Sequence, residues 1–89
     1  MVKILVVEDD ASLNRLVCRL LSDNGYQPCG CENAKEAFDA MEREPFELII
    51  TDVMMPGMDG FEFADAIRRQ DKEIPILFMT AWDDMTSKR

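Results

Sequence analysis

Leu48-Ile49-Ile50-Thr51-Asp52-Val53-Met54-Met55-Pro56-Gly57 is the stretch whose reading decides the fold. Apolar and β-branched residues fill its first half, and Pro45 upstream and Pro56-Gly57 downstream bound it, so it reads as a short buried strand. Asp52 stands at the carboxyl end of that strand. A core built to hold up one carboxylate is the first indication of chemistry.

On the amino-terminal side, Lys3-Ile4-Leu5-Val6-Val7 is a second continuous apolar run, as expected of a strand covered on both faces, and Glu8-Asp9-Asp10 ends it. Leu13, Leu16, Val17, Leu20 and Leu21 then recur at helical spacing until Asn24-Gly25 supplies a carboxyl-terminal stop. Tyr26 to Cys31 reads as a strand at a sheet edge, where Pro28 is tolerated because no ladder partner is needed on one side. Asn33 offers a helix cap with Glu36 three residues on, and Ala34, Ala37, Phe38 and Met41 follow on one face, ending before Pro45.

Beyond the central strand come a Pro-Gly turn and Asp59-Gly60, then a helix that turns Phe61, Ala64, Ile67 and Arg68 one way and Glu62, Asp65, Arg69 and Gln70 the other. Ile74 to Met79 is the fourth strand, closed by Thr80-Ala81, and Asp83-Asp84 can cap a further helix that the sequence follows only to Arg89. Apolar strands alternating with amphipathic helices predict an α/β fold: a doubly wound parallel sheet with helices on both faces.

Composition sets the outer limits. Eighty-nine residues make one small domain, of a size that buries about 60% of its unfolded surface. Eighteen acids against ten bases give a net charge of −8, which argues against a nucleic-acid surface and makes cations the natural ligands. No apolar segment approaches the ~18 residues that span a bilayer, and Ile4 to Val7 runs into acids with no cleavage pattern, so a cytoplasmic protein is expected. Cys18, Cys29 and Cys31 are odd in number and read as reduced. Cys29 and Cys31 share a strand face but lack the further ligands of a zinc site, so they read as small core residues.

In a parallel sheet, ligands gather at the carboxyl ends of the strands. Those ends here carry Glu8-Asp9-Asp10, Asp52 and Thr80. If the first and third strands are neighbours, ~4.8 Å apart, Asp9 and Asp52 converge on one pocket. Clustered carboxylates repel, and a bound cation with hard oxygen ligands, Mg²⁺ best of all, is the usual remedy. A carboxylate beside Mg²⁺ can act as a nucleophile toward phosphorus. The plainer alternative is that each acid only caps a helix or solvates a loop.

Ile4 to Asp10, Leu48 to Gly60 and Pro75 to Ala81, in that order, resemble the receiver domain of two-component response regulators over the whole chain. The resemblance implies a flavodoxin-like sheet of order 2-1-3-4-5 and phosphoryl transfer from a phosphohistidine on a sensor histidine kinase. It implies that Asp52 is the phosphoacceptor and that Asp9, Asp52 and the backbone carbonyl of Met54 bind Mg²⁺. Glu8 would act on the metal through water, Thr80 would supply the switch hydroxyl, and Met54 and Trp82 would flank the pocket. The family pattern continues with a fifth strand, a Lys-Pro pair and a fifth helix that are absent here, and Lys88 comes too early to be that lysine.

The expectation is therefore a receiver domain over residues 1–89, shortened within its fourth helix, with strand order 2-1-3-4 and impaired phosphorylation. The missing strand would expose the edge of strand four and the apolar side of strands one and three, favouring a homodimer. An output domain in a longer parent is compatible, and neither nucleic acid nor membrane is an expected partner. Two other function classes stand beside this one. A Mg²⁺-dependent phosphohydrolase with an aspartate nucleophile would want a second acid at position 54, which is a methionine. A non-phosphorylated interaction module follows if the absent lysine abolishes the chemistry.

Overall fold

The computed structural model describes residues 1–53 and 60–79. The readings that fall on the Met54 carbonyl, the Pro56-Gly57 turn, Thr80, Trp82, Asp83-Asp84 and Lys88 lie outside the described residues. Within them the elements are β1 (Lys3–Val7), α1 (Ala11–Asp23), β2 (Gln27–Cys31), α2 (Ala34–Arg43), β3 (Leu48–Asp52), α3 (Gly60–Gln70) and β4 (Ile76–Met79).

The strands form one parallel sheet in the order β2-β1-β3-β4, as expected. Its register sets Val7 beside Cys31 and Thr51, and Asp52 beside Met79, so the strands finish level with one another. Pro28 sits on the edge strand, bonded to β1 alone, where its missing N–H costs nothing.

Alternate strand residues supply two apolar layers. Leu5, Val7, Cys31 and Ile49 pack with Ala37 and Ala40 of α2 and Phe63 and Ile67 of α3. Ile4, Val6 and Ile50 pack with Val17, Cys18 and Leu21 of α1. Helices thus cover both faces. All three cysteines are free thiols, and burial pushes that of Cys31 up to about 12, the neighbouring Cys29 adding to the rise, which suits the reading as core residues.

The helix ends use the expected residues. Gly25, with φ of 87°, takes the left-handed conformation that ends α1, while Tyr26 N–H and Gly25 N–H return to the carbonyls of Leu21 and Ser22. Asn33 accepts from Glu36 N–H at 2.8 Å, and the Glu36 carboxylate reaches back to Glu32 N–H at 2.9 Å.

Four expectations are corrected. First, Leu16 and Leu20 are not core residues: they are 53% and 54% exposed, and α1 turns the expected Val17 and Leu21 inward together with Asn14 and Cys18. Second, α3 seats Phe63 and Ile67, both fully buried, and leaves Phe61 60% exposed. Third, β4 starts at Ile76 rather than Ile74, because Pro75 has no N–H for the ladder; its carbonyl takes the Ile49 N–H, and the Ile74 carbonyl takes the guanidinium of Arg68. Fourth, the apolar side of β1 and β3 is not bare, since Ile4, Val6 and Ile50 are all buried; the exposed residue on that side is Leu77 of β4.

Candidate functional site

Because β1 and β3 are adjacent and end level, the residues that follow or close them are brought together. Asp52 closes β3 and is buried, Glu8 follows β1 and is buried, and Asp9 is exposed. Carboxylate oxygens of all three lie within 4.8 Å of one another. The predicted convergence of Asp9 and Asp52 is therefore present, with Glu8 as its inner wall and Asp9 at the solvent side. Of the remaining expected site residues, Met54 and Thr80 lie outside the described residues.

Asp10 belongs to a different function. Its Oδ1 accepts from Ser12 N–H at 2.9 Å and Leu13 N–H at 3.1 Å, which caps α1. The capping alternative is correct for this one acid.

Glu8 shows what the crowding costs. Burial comes first, then a hydrogen bond shared with Asp9 and the charges of Asp52 and Asp9, and together they raise its carboxyl from 4.5 to about 7. The Asp10 N–H, donated to Glu8 Oε2 at 2.8 Å, works the other way by favouring the carboxylate. Two unit charges about 5 Å apart repel by roughly 3 kcal/mol at an effective dielectric constant of about 20. A divalent cation among the three carboxylates would turn that repulsion into attraction, and an all-oxygen donor set suits a hard cation such as Mg²⁺.

Sequence reasoning missed Asn14. It is the buried polar residue of α1, and its Nδ2 donates to the carbonyls of Glu8 at 3.0 Å and Cys31 at 2.8 Å. A polar residue spaced with Val17, Cys18 and Leu21 on the inward face was the available signal.

The family model for the response regulator receiver domain matches residues 4–89. The chain belongs to the response regulator receiver domain family. It is 35% identical over 82 residues to the response regulator receiver protein CpdR of Brucella abortus, covering 92% of this chain and 68% of that one. It is 36% identical over 88 residues to the transcriptional regulatory protein PcoR of Escherichia coli, covering 99% of this chain but 39% of that longer protein. The crystal structure of the chemotaxis protein CheY4 of Vibrio cholerae superposes with a TM-score of 0.85 at 36% identity, over 97% of this chain and 76% of that one. The flavodoxin-like architecture inferred from three blocks of sequence is thus the fold of this receiver domain. One similar structure, at 25% identity and a TM-score of 0.79, is the complex of the histidine kinase ThkA with the response regulator protein TrrA, and the match covers 99% of this chain and 95% of that one.

Proposed function

We propose that this receiver domain is a phosphorylation-controlled switch in the cytoplasm, in which Asp52 accepts a phosphoryl group from the phosphohistidine of a sensor histidine kinase with Mg²⁺ bound to Asp9, Asp52 and the Met54 carbonyl. The single observation that carries the reading is the Glu8–Asp9–Asp52 cluster at level strand ends. An Asp52 oxygen attacks phosphorus; the new P–O bond forms as the P–N bond breaks, and the imidazole nitrogen leaves with the electron pair and takes up a proton. Mg²⁺, when bound, supplies the positive charge that lets a phosphoryl dianion approach three carboxylates. Glu8 is assigned to the outer side of the metal through water, and Thr80 to a hydrogen bond with the transferred group.

The rest of the chain supports the same reading. Leu16 and Leu20 form an exposed apolar pair, one turn apart on α1, the helix that starts immediately after the acids. This surface is assigned to kinase docking. Since the chain spans 39% of PcoR, the switch is proposed to govern an output segment in a longer parent protein.

Incubation of the chain with phosphoramidate and Mg²⁺, followed by intact-mass measurement, tests the proposal. One phosphoryl adduct in the wild type and none in Asp52→Asn supports it. Free phosphate with no adduct would replace the switch by a phosphohydrolase, and no reaction at any Mg²⁺ concentration would leave an interaction module.

A further inference from the structure

One buried polar side chain near the acids, that of Asn14, belongs to none of the roles above. Asn14 is 6% exposed and sits on the inward face of α1, among residues that are otherwise chosen for apolar packing. Its two amide protons go to two different strands' ends: the carbonyl of Glu8, just after β1, and the carbonyl of Cys31, the last residue of β2. The Cys31 carbonyl also takes the Glu8 N–H at 2.9 Å, so the three groups form a closed bracket where the β1–β2 ladder stops.

The Glu8 carbonyl is one half of the peptide unit that joins Glu8 to Asp9. A planar peptide has no internal freedom, so holding its carbonyl restrains the Glu8 and Asp9 Cα atoms on either side of it together. The backbone between two of the three clustered carboxylates is therefore held by this side-chain amide, alongside the Glu8 N–H bond to the Cys31 carbonyl and the Asp10 N–H bond to Glu8 Oε2. Mutual repulsion pushes the carboxylates apart, and the peptide that carries these two lies beyond the last ladder pairs of β1, Val7 with Cys31 and Val7 with Thr51.

Gly30 makes the bracket possible. A β-carbon at that position would collide with Oδ1 of Asn14 and press on Sγ of Cys18 at 3.1 Å, so the glycine lets α1 sit close enough to β2 for a short amide to reach both carbonyls. On the other side of the amide, Oδ1 accepts from the Cys18 thiol at 3.4 Å, which orients it.

We propose that Asn14 is a positioning residue of the cation site, holding the Glu8–Asp9 peptide in the geometry at which both carboxylates converge with Asp52, and that Gly30 is required for that role. The inference rests on reading the acid cluster as a Mg²⁺ site. A leucine, which branches at Cγ as asparagine does though it is larger, would pack with Val17 and Leu21 but leave the peptide unheld.

The test is a calorimetric Mg²⁺ titration of the full 89-residue chain as wild type, Asn14→Leu, Gly30→Ala and Val17→Ala, each titrated well below its own melting temperature. Val17→Ala removes packing from the same helix face without touching the bracket. Asn14→Leu and Gly30→Ala are expected to weaken Mg²⁺ binding about 10-fold or more, the loss typical of removing a group that orients a metal ligand, while Val17→Ala leaves it unchanged. Wild-type affinity in Asn14→Leu overturns the proposal, as does an equal loss in Val17→Ala, which would show general loosening. If Asn14→Leu does not fold, Gly30→Ala decides alone, and unchanged binding there is equally fatal. A wild type that binds no Mg²⁺ overturns the site reading itself, a result distinct from the other three.

Discussion

Glu8 carries the conflict on which the site runs, because it is buried beside two other acids and titrates at about 7 rather than 4.5. Its folded-state value is raised, so between those values the folded chain holds a proton that the unfolded chain has lost, and stability must fall as pH rises through that window. Thermal melts in a chelator from pH 4.5 to 8 should show this decline, flattening above pH 7, and Glu8→Gln should remove most of it. The cation reverses the sign. At pH 7.5, Mg²⁺ should raise the melting temperature of the wild type and leave Asp9→Asn unchanged; equal stabilisation of both would mean that the ion binds elsewhere. The three acids were legible in the sequence because a carboxylate closing an apolar run has no place in a core. The spacing of Asn14 with Val17, Cys18 and Leu21 marks it as inward-facing, but its role was not legible, since its partners are two backbone carbonyls and main-chain acceptors leave no mark on a pattern of side chains.

Helices and strands announced themselves by period, but which side of a helix faces inward is settled by contacts that the period does not contain. The apolar count on α1 took in Leu13, Leu16, Val17, Leu20 and Leu21; Val17 and Leu21 do face inward, but beside Asn14 and Cys18, whose amide bracket and close approach at Gly30 leave Leu16 and Leu20 exposed. In α3 the apolar count included Phe61 and passed over Phe63, which is fully buried and packs against Phe38 at a ring separation of 5.3 Å. Phe63→Ala should therefore cost about 3–5 kcal/mol, a large fraction of a small domain's stability. Phe61→Ala loses a half-exposed pairing with Phe78 and should cost no more than about 1.5 kcal/mol, and denaturant melts that reversed this order would refute the assignment. The exposed leucines make the complementary case. Leu16→Ser with Leu20→Ser should leave the melting temperature nearly unchanged yet slow phosphoryl transfer from a kinase about tenfold, the equivalent of about 1.4 kcal/mol of lost binding.

At the scale of the whole molecule, sheet and charge pull in opposite directions. Among the described residues β4 bonds to β3 alone, and Leu77, in register with Ile50 on the α1 side, is 56% exposed, so an unpaired row of backbone groups stands beside an uncovered apolar side chain. Such an edge is a template for a second strand. The surface available is smaller than the sequence implied, because Ile4, Val6 and Ile50 are already buried, and pairing would have to rest on the strand edge and Leu77 rather than on a broad apolar face. Against it stands a net charge of −8 on each chain. Salt screens exposed charges over distances beyond about 8 Å at physiological ionic strength but leaves hydrogen bonding and apolar contact in place. Self-association of the 89-residue chain should therefore strengthen with added salt, the reverse of an interface built on ion pairs. Leu77→Lys, which adds a charge to the exposed position of the edge, should weaken it at every salt concentration. Sedimentation over a range of protein and salt concentrations reads both effects, and a chain that stays monomeric at high concentration in moderate salt would show that repulsion, not the edge, decides its state.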